Sequence, residues 1–341
     1  MIVRGLGGLY AVRTEERGGE ELLCRARGIF RREELTPTVG DDVLITHSSD
    51  SVSDADAADT QIGDAEKKRT HSHDTHDKGA QVDYVIDEIL PRRSLMIRPA
   101  LANLDYLFML IPAASPEPDL LTADKLTAIA ENYSIEVVAV VNKADLAPER
   151  AREIAGIYSL AGYSTFCLSA GSGDGVDELR RFISDASAKA RDGAHVSGAF
   201  AGVSGAGKST LMTALFPNLG LKTGDVSRKT RRGRHTTRHV ELYPVDFGAS
   251  RFWLADTPGF SMLDFTRFDF FPYDELAGSF REFGDCLGNC RYTKCTHLRE
   301  EGCAVIEKMK NGGIAKSRHE SYVKIFEEQR SVPEWKRRQE K

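Results

Sequence analysis

Nine consecutive residues constrain this chain more than any others: Gly202-Val203-Ser204-Gly205-Ala206-Gly207-Lys208-Ser209-Thr210. They follow the apolar run Val196 to Phe200, which reads as a buried strand, and precede Leu211 to Phe216, which reads as the opening of a helix. That context separates the pattern GxxxxGK[ST] from a chance glycine-rich turn and makes it a P-loop. Glycines let the backbone curl so tightly that successive N–H groups point at phosphate oxygens, and the helix adds its positive end. Lys208 is placed to lie along the β- and γ-phosphates, and the Ser209 hydroxyl to join the shell of a magnesium ion.

The rest of the composition narrows the class. At 341 residues there is room for two or three domains, and 28% charged with 41% hydrophobic residues is the balance of an ordinary globular protein. No apolar run is long enough to cross a bilayer; Tyr106 to Ala114 comes nearest and is interrupted by Pro112. The N-terminus alternates like a strand and lacks the pattern of a secretory leader, so a cytoplasmic location and no membrane partner are expected. A net charge of -5 excludes a general polycation, so any nucleic-acid contact must be local. Lys222 to Arg238 is the place for it, with Lys222, Arg228, Lys229, Arg231, Arg232, Arg234 and Arg238 against the single acid Asp225. Cys24 and Cys167 read as core residues. Cys286, Cys290, Cys295 and Cys303 crowd into one short span, which in a cytoplasmic chain suggests a metal rather than disulfides.

From Met1 to Arg98 short strands with turn residues between them suggest a small barrel, residues 1–98. A polar insertion at about 47–80, rich in Ser, Asp, Lys and His, has too few apolar residues to repay the cost of ordering and is expected to be disordered. Its His71, His73 and His76 read as part of a solvated tract. From Pro99 onward, strands alternate with helices: strands at Tyr106 to Pro112, Glu136 to Val141 and Thr165 to Leu168, and helices at Leu120 to Asn132, Pro148 to Leu160 and Val176 to Lys189. After the P-loop come strands at Val240 to Val245 and Arg251 to Asp256. This is the signature of an α/β domain with a mainly parallel sheet, whose ligands sit at the carboxyl ends of the strands.

Motifs occur at those ends. Asn142-Lys143-Ala144-Asp145 leaves one strand, and a carboxylate at its fourth position can accept both the ring N–H and the exocyclic amine of guanine. Adenine offers no such donor pair, so the motif selects GTP over ATP. Ser169-Ala170, after the next strand, can close over the base with a backbone amide. Asp256-Thr257-Pro258-Gly259 offers the Asp256 carboxylate to magnesium and the Gly259 amide to the γ-phosphate. Each motif is weak alone, but at one sheet edge beside a P-loop they make a joint signal for a guanine nucleotide. A P-loop ATPase or nucleotide kinase is the reading they disfavour. The order is unusual: the base-recognition motifs precede the P-loop, as in a circularly permuted GTPase fold.

The chain resembles a known family at these residues: the circularly permuted, ribosome-small-subunit-dependent GTPases, RsgA in bacteria. The resemblance rests on Asn-Lys-x-Asp before the P-loop, on Gly233-Arg234-His235-Thr236-Thr237, on Asp256 to Phe260 and on the cysteine cluster. It implies an N-terminal OB-fold, a permuted GTPase domain over 99–270 and a mainly helical zinc domain over 271–341. It also implies GTP turnover during late maturation of the small ribosomal subunit, with rRNA and other assembly factors as partners. A monomer is expected. Residues 220–240 become switch I, with Thr237 on magnesium and His235 as the catalytic histidine; in a loop this basic, contact of His235 with RNA phosphate is the competing assignment. Phe260 stands where many GTPases have a water-orienting Gln, so turnover without a partner should be slow. A nucleotide-gated binding module with incidental hydrolysis would use the same residues.

Cys290, Cys295, His297 and Cys303 follow the spacing CxxxxCxHxxxxxC. Three thiolates and an imidazole complete a tetrahedral zinc shell with no open position, as in structural sites. Cys286 is a further thiol nearby, and the family pattern leaves it out.

Overall fold

Short strands and tight glycine turns build the first of two units into which the chain divides, Met1–Arg92 and Arg93–Lys341. The computed structural model describes residues 1–14, 19–32, 35–48, 82–96, 100–189, 195–219, 240–248, 250–256 and 273–331. In the first unit β1 (Ile2–Leu6), β2 (Leu9–Thr14) and β3 (Glu20–Ala26) form an antiparallel meander. Gly7 and Gly8 make its first turn with φ of 58° and 86°, the left-handed pair that a two-residue hairpin demands. A single helical turn, α1 (Ile29–Arg32), leads on to β4 (Val43–His47) and β5 (Tyr84–Ile89), and the strand order is β1-β2-β3-β5-β4 with β3 and β5 parallel. The Ile2 N–H donates to Asp41 O and the Gly40 N–H to Ile2 O, both at 2.8 Å, so the segment entering β4 returns to β1 and closes the barrel. Ile2, Val12, Cys24 and Ile86 fill its interior. Asp41 is fully buried and accepts a two-pronged bond from Arg92 at 2.7 and 2.8 Å, which fastens the exit of the barrel to its closing turn. Apart from His47 and Ser48, the polar insertion lies outside the described residues.

The second unit opens with a small hairpin, β6 (Leu95–Met96) and β7 (Leu101–Ala102). Then follow β8 (Tyr106–Pro112), α2 (Leu120–Asn132), β9 (Glu136–Asn142), α3 (Pro148–Leu160), β10 (Ser164–Cys167), α4 (Val176–Ala188), β11 (Val196–Gly202) and α5 (Lys208–Leu215). β12 (Glu241–Phe247) and β13 (Ser250–Asp256) continue a sheet of order β10-β9-β8-β11-β13-β12, parallel except that β12 runs antiparallel to β13. β8, β9 and β11 are almost wholly buried, which explains their unbroken apolar sequences. On α4, Val176, Leu179 and Ile183 turn inward as their spacing predicts. Gly198 lets β11 lie between two aromatic rings, because a Cβ there would meet Phe252 at 2.5 Å and Phe108 at 2.8 Å. Cys167 departs from the sequence reading: it ends the edge strand β10 and is exposed, since that strand has no neighbour on its outer side.

After β13 the described chain resumes at Tyr273 in two 3-10 segments, Leu276–Ser279 and Arg281–Cys286, followed by α6 (Ala304–Lys310) and α7 (Lys316–Ser331). Their core of Leu276, Phe280, Phe283, Val305, Tyr322, Ile325 and Phe326 reaches Ala128 of α2. Among the described residues no helix is long and apolar enough to cross a membrane.

Candidate nucleotide site and metal centre

The sheet changes winding direction between β8 and β11: the chain leaves β8 toward β9 and β10 and returns on the far side of β8 as β11. The crevice beyond the carboxyl ends of two such strands is where open α/β sheets bind ligands. The P-loop leaves β11 at this point. Gly205 and Gly207 have φ of 82° and 96°, and a Cβ on Gly202 would stand 2.7 Å from Leu110 O, so these glycines answer to left-handed turns and to close approach of β8. Gly207 then starts α5, whose first residue is Lys208, with Ser209 and Thr210 exposed behind it. At its other end, Arg180 of α4 donates to Ala214 O at 2.6 Å and Leu215 O at 3.2 Å, satisfying carbonyls that the helix leaves open.

Asn142, the last residue of β9, joins three loops. Its Nδ2 donates to Ala206 O in the P-loop at 2.8 Å, while its Oδ1 accepts the N–H groups of Lys143 at 2.8 Å and Ala170 at 3.0 Å. Only 2% of Asn142 is exposed, so each bond is made away from competing water. Lys143 adopts a left-handed φ of 63°, and its Nζ donates to Gly205 O at 2.9 Å and to Ser115 O on the loop after β8. The Asp145 N–H donates to Ser169 Oγ at 2.9 Å and the Ala144 N–H to Leu168 O at 3.2 Å, which leaves the Asp145 residue exposed at the rim. The residues Asn142 to Asp145, Ser169-Ala170 and Gly202 to Thr210 therefore meet in one crevice despite their rotated order.

Two features of this meeting were not legible as such. The Ala170 N–H, in the Ser169-Ala170 loop, donates to Asn142 Oδ1, and Asn142 itself works as a tie between loops. Ser115 enters the site although no motif marks it; only its position just after a central strand could have drawn notice. Asp256 ends β13, and its side chain, together with Gly259, Thr237 and His235, lies outside the described residues. A methyl group at Gly207 would strike the Asn142 amide and would strain a backbone at φ 96°. Gly207→Ala should lower affinity for a fluorescent GTP analogue by at least tenfold in direct titration.

The second cluster has the donor set of a metal site. The ligand atoms of Cys290, Cys295, His297 and Cys303 all lie within 4.8 Å of one another, and they form the metal-type grouping found among the described residues. His297 Nδ1 is 3.5 Å from Cys290 Sγ and 3.4 Å from Cys303 Sγ, and those two sulfurs are 3.9 Å apart. Zinc bonds of about 2.3 Å to sulfur and about 2.0 Å to nitrogen, at tetrahedral angles, put ligand atoms roughly 3.5 to 3.8 Å apart. The donor set fits that ion, and the separations among Cys290, His297 and Cys303 lie close to those values. The Ala304 N–H points at Cys290 Sγ at 3.4 Å, a bond that favours thiolate. Cys286 is buried in the preceding 3-10 segment and is not part of the grouping. Burial works against ionisation of Glu300, yet hydrogen bonds from Thr296, from Arg299 and from its own backbone carry its carboxyl down to about 2.

A family description, RsgA GTPase, matches residues 89–266, and a second, RsgA N-terminal domain, matches residues 1–53. The protein named Small ribosomal subunit biogenesis GTPase RsgA from Ruminiclostridium cellulolyticum is 34% identical over 337 residues, 98% of this chain and 95% of the relative. Its namesake from Caldanaerobacter subterraneus subsp. tengcongensis is 36% identical over 328 residues, 96% and 94% of the two chains. Among solved structures, YjeQ from Thermotoga maritima superposes with a TM-score of 0.71 at 30% identity over 98% of both chains. YloQ, described as a circularly permuted GTPase, gives 0.68 at 25% identity over 97% of this chain and 95% of its own.

Proposed function

The chain belongs to the RsgA family of circularly permuted GTPases, and from that premise we propose that it hydrolyses GTP to GDP and phosphate while assisting late maturation of the small ribosomal subunit. The observation that carries the reading is Asn142, whose one side chain bonds to the P-loop and to the Ser169-Ala170 loop. Base and phosphate recognition thereby share a rigid frame.

Within that frame the Asp145 carboxylate accepts the guanine edge, and the backbone amides of Gly202 to Thr210 with Lys208 cradle the phosphates. Ser209, Thr237 and Asp256 would supply the hard oxygen donors that a magnesium ion prefers, and such an ion, bound with GTP, would neutralise phosphate charge. Gly259 contacts the γ-phosphate. His235 orients the attacking water, because Phe260 cannot. The basic residues between Lys222 and Arg238 approach rRNA phosphate. Cys290, Cys295, His297 and Cys303 would hold one structural zinc, whose binding would add to the folding energy supplied by the segment's core of Leu276, Phe280, Phe283, Tyr322 and Phe326. The three domains then run 1–98, 99–270 and 271–341, and the protein acts as a cytoplasmic monomer.

The test is GTP hydrolysis with and without isolated small subunits. The expected result is slow turnover alone and at least tenfold stimulation by subunits, with the stimulation lost as salt screens the basic segment. Turnover that ignores added subunits, or an equal rate with ATP, would overturn the reading.

A further inference from the structure

His297 adopts a left-handed backbone with φ 59°, a conformation that a residue with a Cβ rarely holds without outside support. The support is on both sides of it. Glu300 Oε1 accepts the Thr296 N–H at 2.8 Å and the Thr296 hydroxyl, while Oε2 accepts the N–H groups of Leu298 at 2.8 Å and Arg299 at 3.0 Å. Backbone amides before and after His297 thus converge on one carboxylate, an arrangement that bends the chain around an anion. From the opposite side α7 holds the carbonyls: His319 Nε2 donates to His297 O and the Tyr322 hydroxyl to Thr296 O, both at 2.8 Å. No motif marks Glu300, and its neighbour Glu301 is 87% exposed with only a 3.7 Å contact to Arg291.

We propose that Glu300 is the positioning residue of the metal centre: its carboxylate fixes the bend that aims His297 Nδ1 at the three thiols. The inference rests on reading the four-residue cluster as a zinc site. Glutamine at position 300 would set an NH₂ group against backbone N–H donors and undo one side of the support. Loss of such an outer partner typically costs about 10–100-fold in metal retention.

The experiment compares the full-length protein with Glu300→Gln, Thr296→Val and Glu301→Gln. Zinc release to a chromophoric chelator is timed, and the visible spectrum of the cobalt-substituted protein is recorded. Glu300→Gln should release zinc at least tenfold faster and should shift and weaken the cobalt d–d bands, a change that general loosening of the fold would not cause. Thr296→Val, a milder lesion, should fall between it and wild type, and Glu301→Gln should match wild type. Release within twofold of wild type for both Glu300→Gln and Thr296→Val, with unchanged cobalt spectra, would overturn the proposal and leave the zinc site standing. Wild-type protein that holds neither zinc nor cobalt would overturn the zinc site itself.

Discussion

Asp145→Asn will exchange guanine for xanthine. In the proposed site the aspartate carboxylate would accept two donors from the guanine edge, so that guanine binding would rest on a charge-assisted, two-point contact. Asparagine keeps one acceptor and adds a donor, which would face the exocyclic amine of guanine and leave a donor pair opposed. Xanthine carries a carbonyl where guanine has that amine, so the variant regains both bonds with the altered base. A site that loses a matched polar contact discriminates by large factors, and affinity for GTP should fall by about 10³-fold, roughly 4 kcal/mol. Xanthosine triphosphate should bind the variant within about tenfold of the wild-type affinity for GTP. The loop should survive the exchange, because its shape depends on the Asp145 N–H bonded to Ser169 Oγ and the Ala144 N–H bonded to Leu168 O, neither of which uses the carboxylate. Calorimetric titration of both proteins with both nucleotides checks this. A variant that binds GTP as wild type does would remove Asp145 from base recognition.

The contrast between Asp145 and Asp124 shows which parts of this molecule can be read from sequence. Asp145 lies in a local motif behind a continuous apolar strand, so its spacing and its strand together announce it. The same is true of β8, whose limits Tyr106–Pro112 follow from an uninterrupted apolar run, and of α2 and α3, which run Leu120–Asn132 and Pro148–Leu160 and open at the cap residue Asp119 and at Pro148. The cluster of Cys290, Cys295, His297 and Cys303 is equally local. Asp124, by contrast, bonds to Arg318 across 194 positions of chain, and no short-range spacing can encode such a pair. A trace of it exists nonetheless: Arg318 stands at helical spacing from Tyr322, Ile325 and Phe326, a charge on an apolar stripe. A charge placed there must find an opposite charge or leave the core. Sequence periodicity shows the problem, and only the fold shows its solution. Glu300 is harder still, because its bonds run to backbone amides that have no residue identity.

That solution makes Arg318 the residue whose loss should cost most in stability. It is fully buried; its Nη1 donates to Asp124 Oδ1 at 2.7 Å and Thr127 Oγ1 at 2.8 Å, and its Nε and Nη2 bond to Glu282 at 2.7 and 3.1 Å. The guanidinium also sits 4.6 Å from the ring centre of Phe280, and Tyr158 donates to Asp124 at 2.9 Å. α7, the 3-10 segment Arg281–Cys286 and α2 are thereby tied at one point. Lys125 with Glu328, and Arg281 with Glu131 and Glu136, flank it. Arg318→Met keeps most of the volume but strands two acids without a countercharge, which should cost about 3–5 kcal/mol in urea unfolding. Burial already pushes the Asp124 carboxyl up, against the pull of Arg318, and the variant removes that pull. A carboxyl raised in the folded state favours folding where it is protonated, and that contribution is lost as pH rises through its folded value. The deficit of Arg318→Met should therefore be greatest at neutral pH and shrink toward the ordinary carboxylate range. Adding Asp124→Asn and Glu282→Gln should restore at least half of the lost stability, because neutral amides do not require the missing charge. If the single variant unfolds within 1 kcal/mol of wild type at neutral pH, with about that much being the error of such extrapolations, the buried ion cluster does not hold α7 and the 3-10 segment to α2.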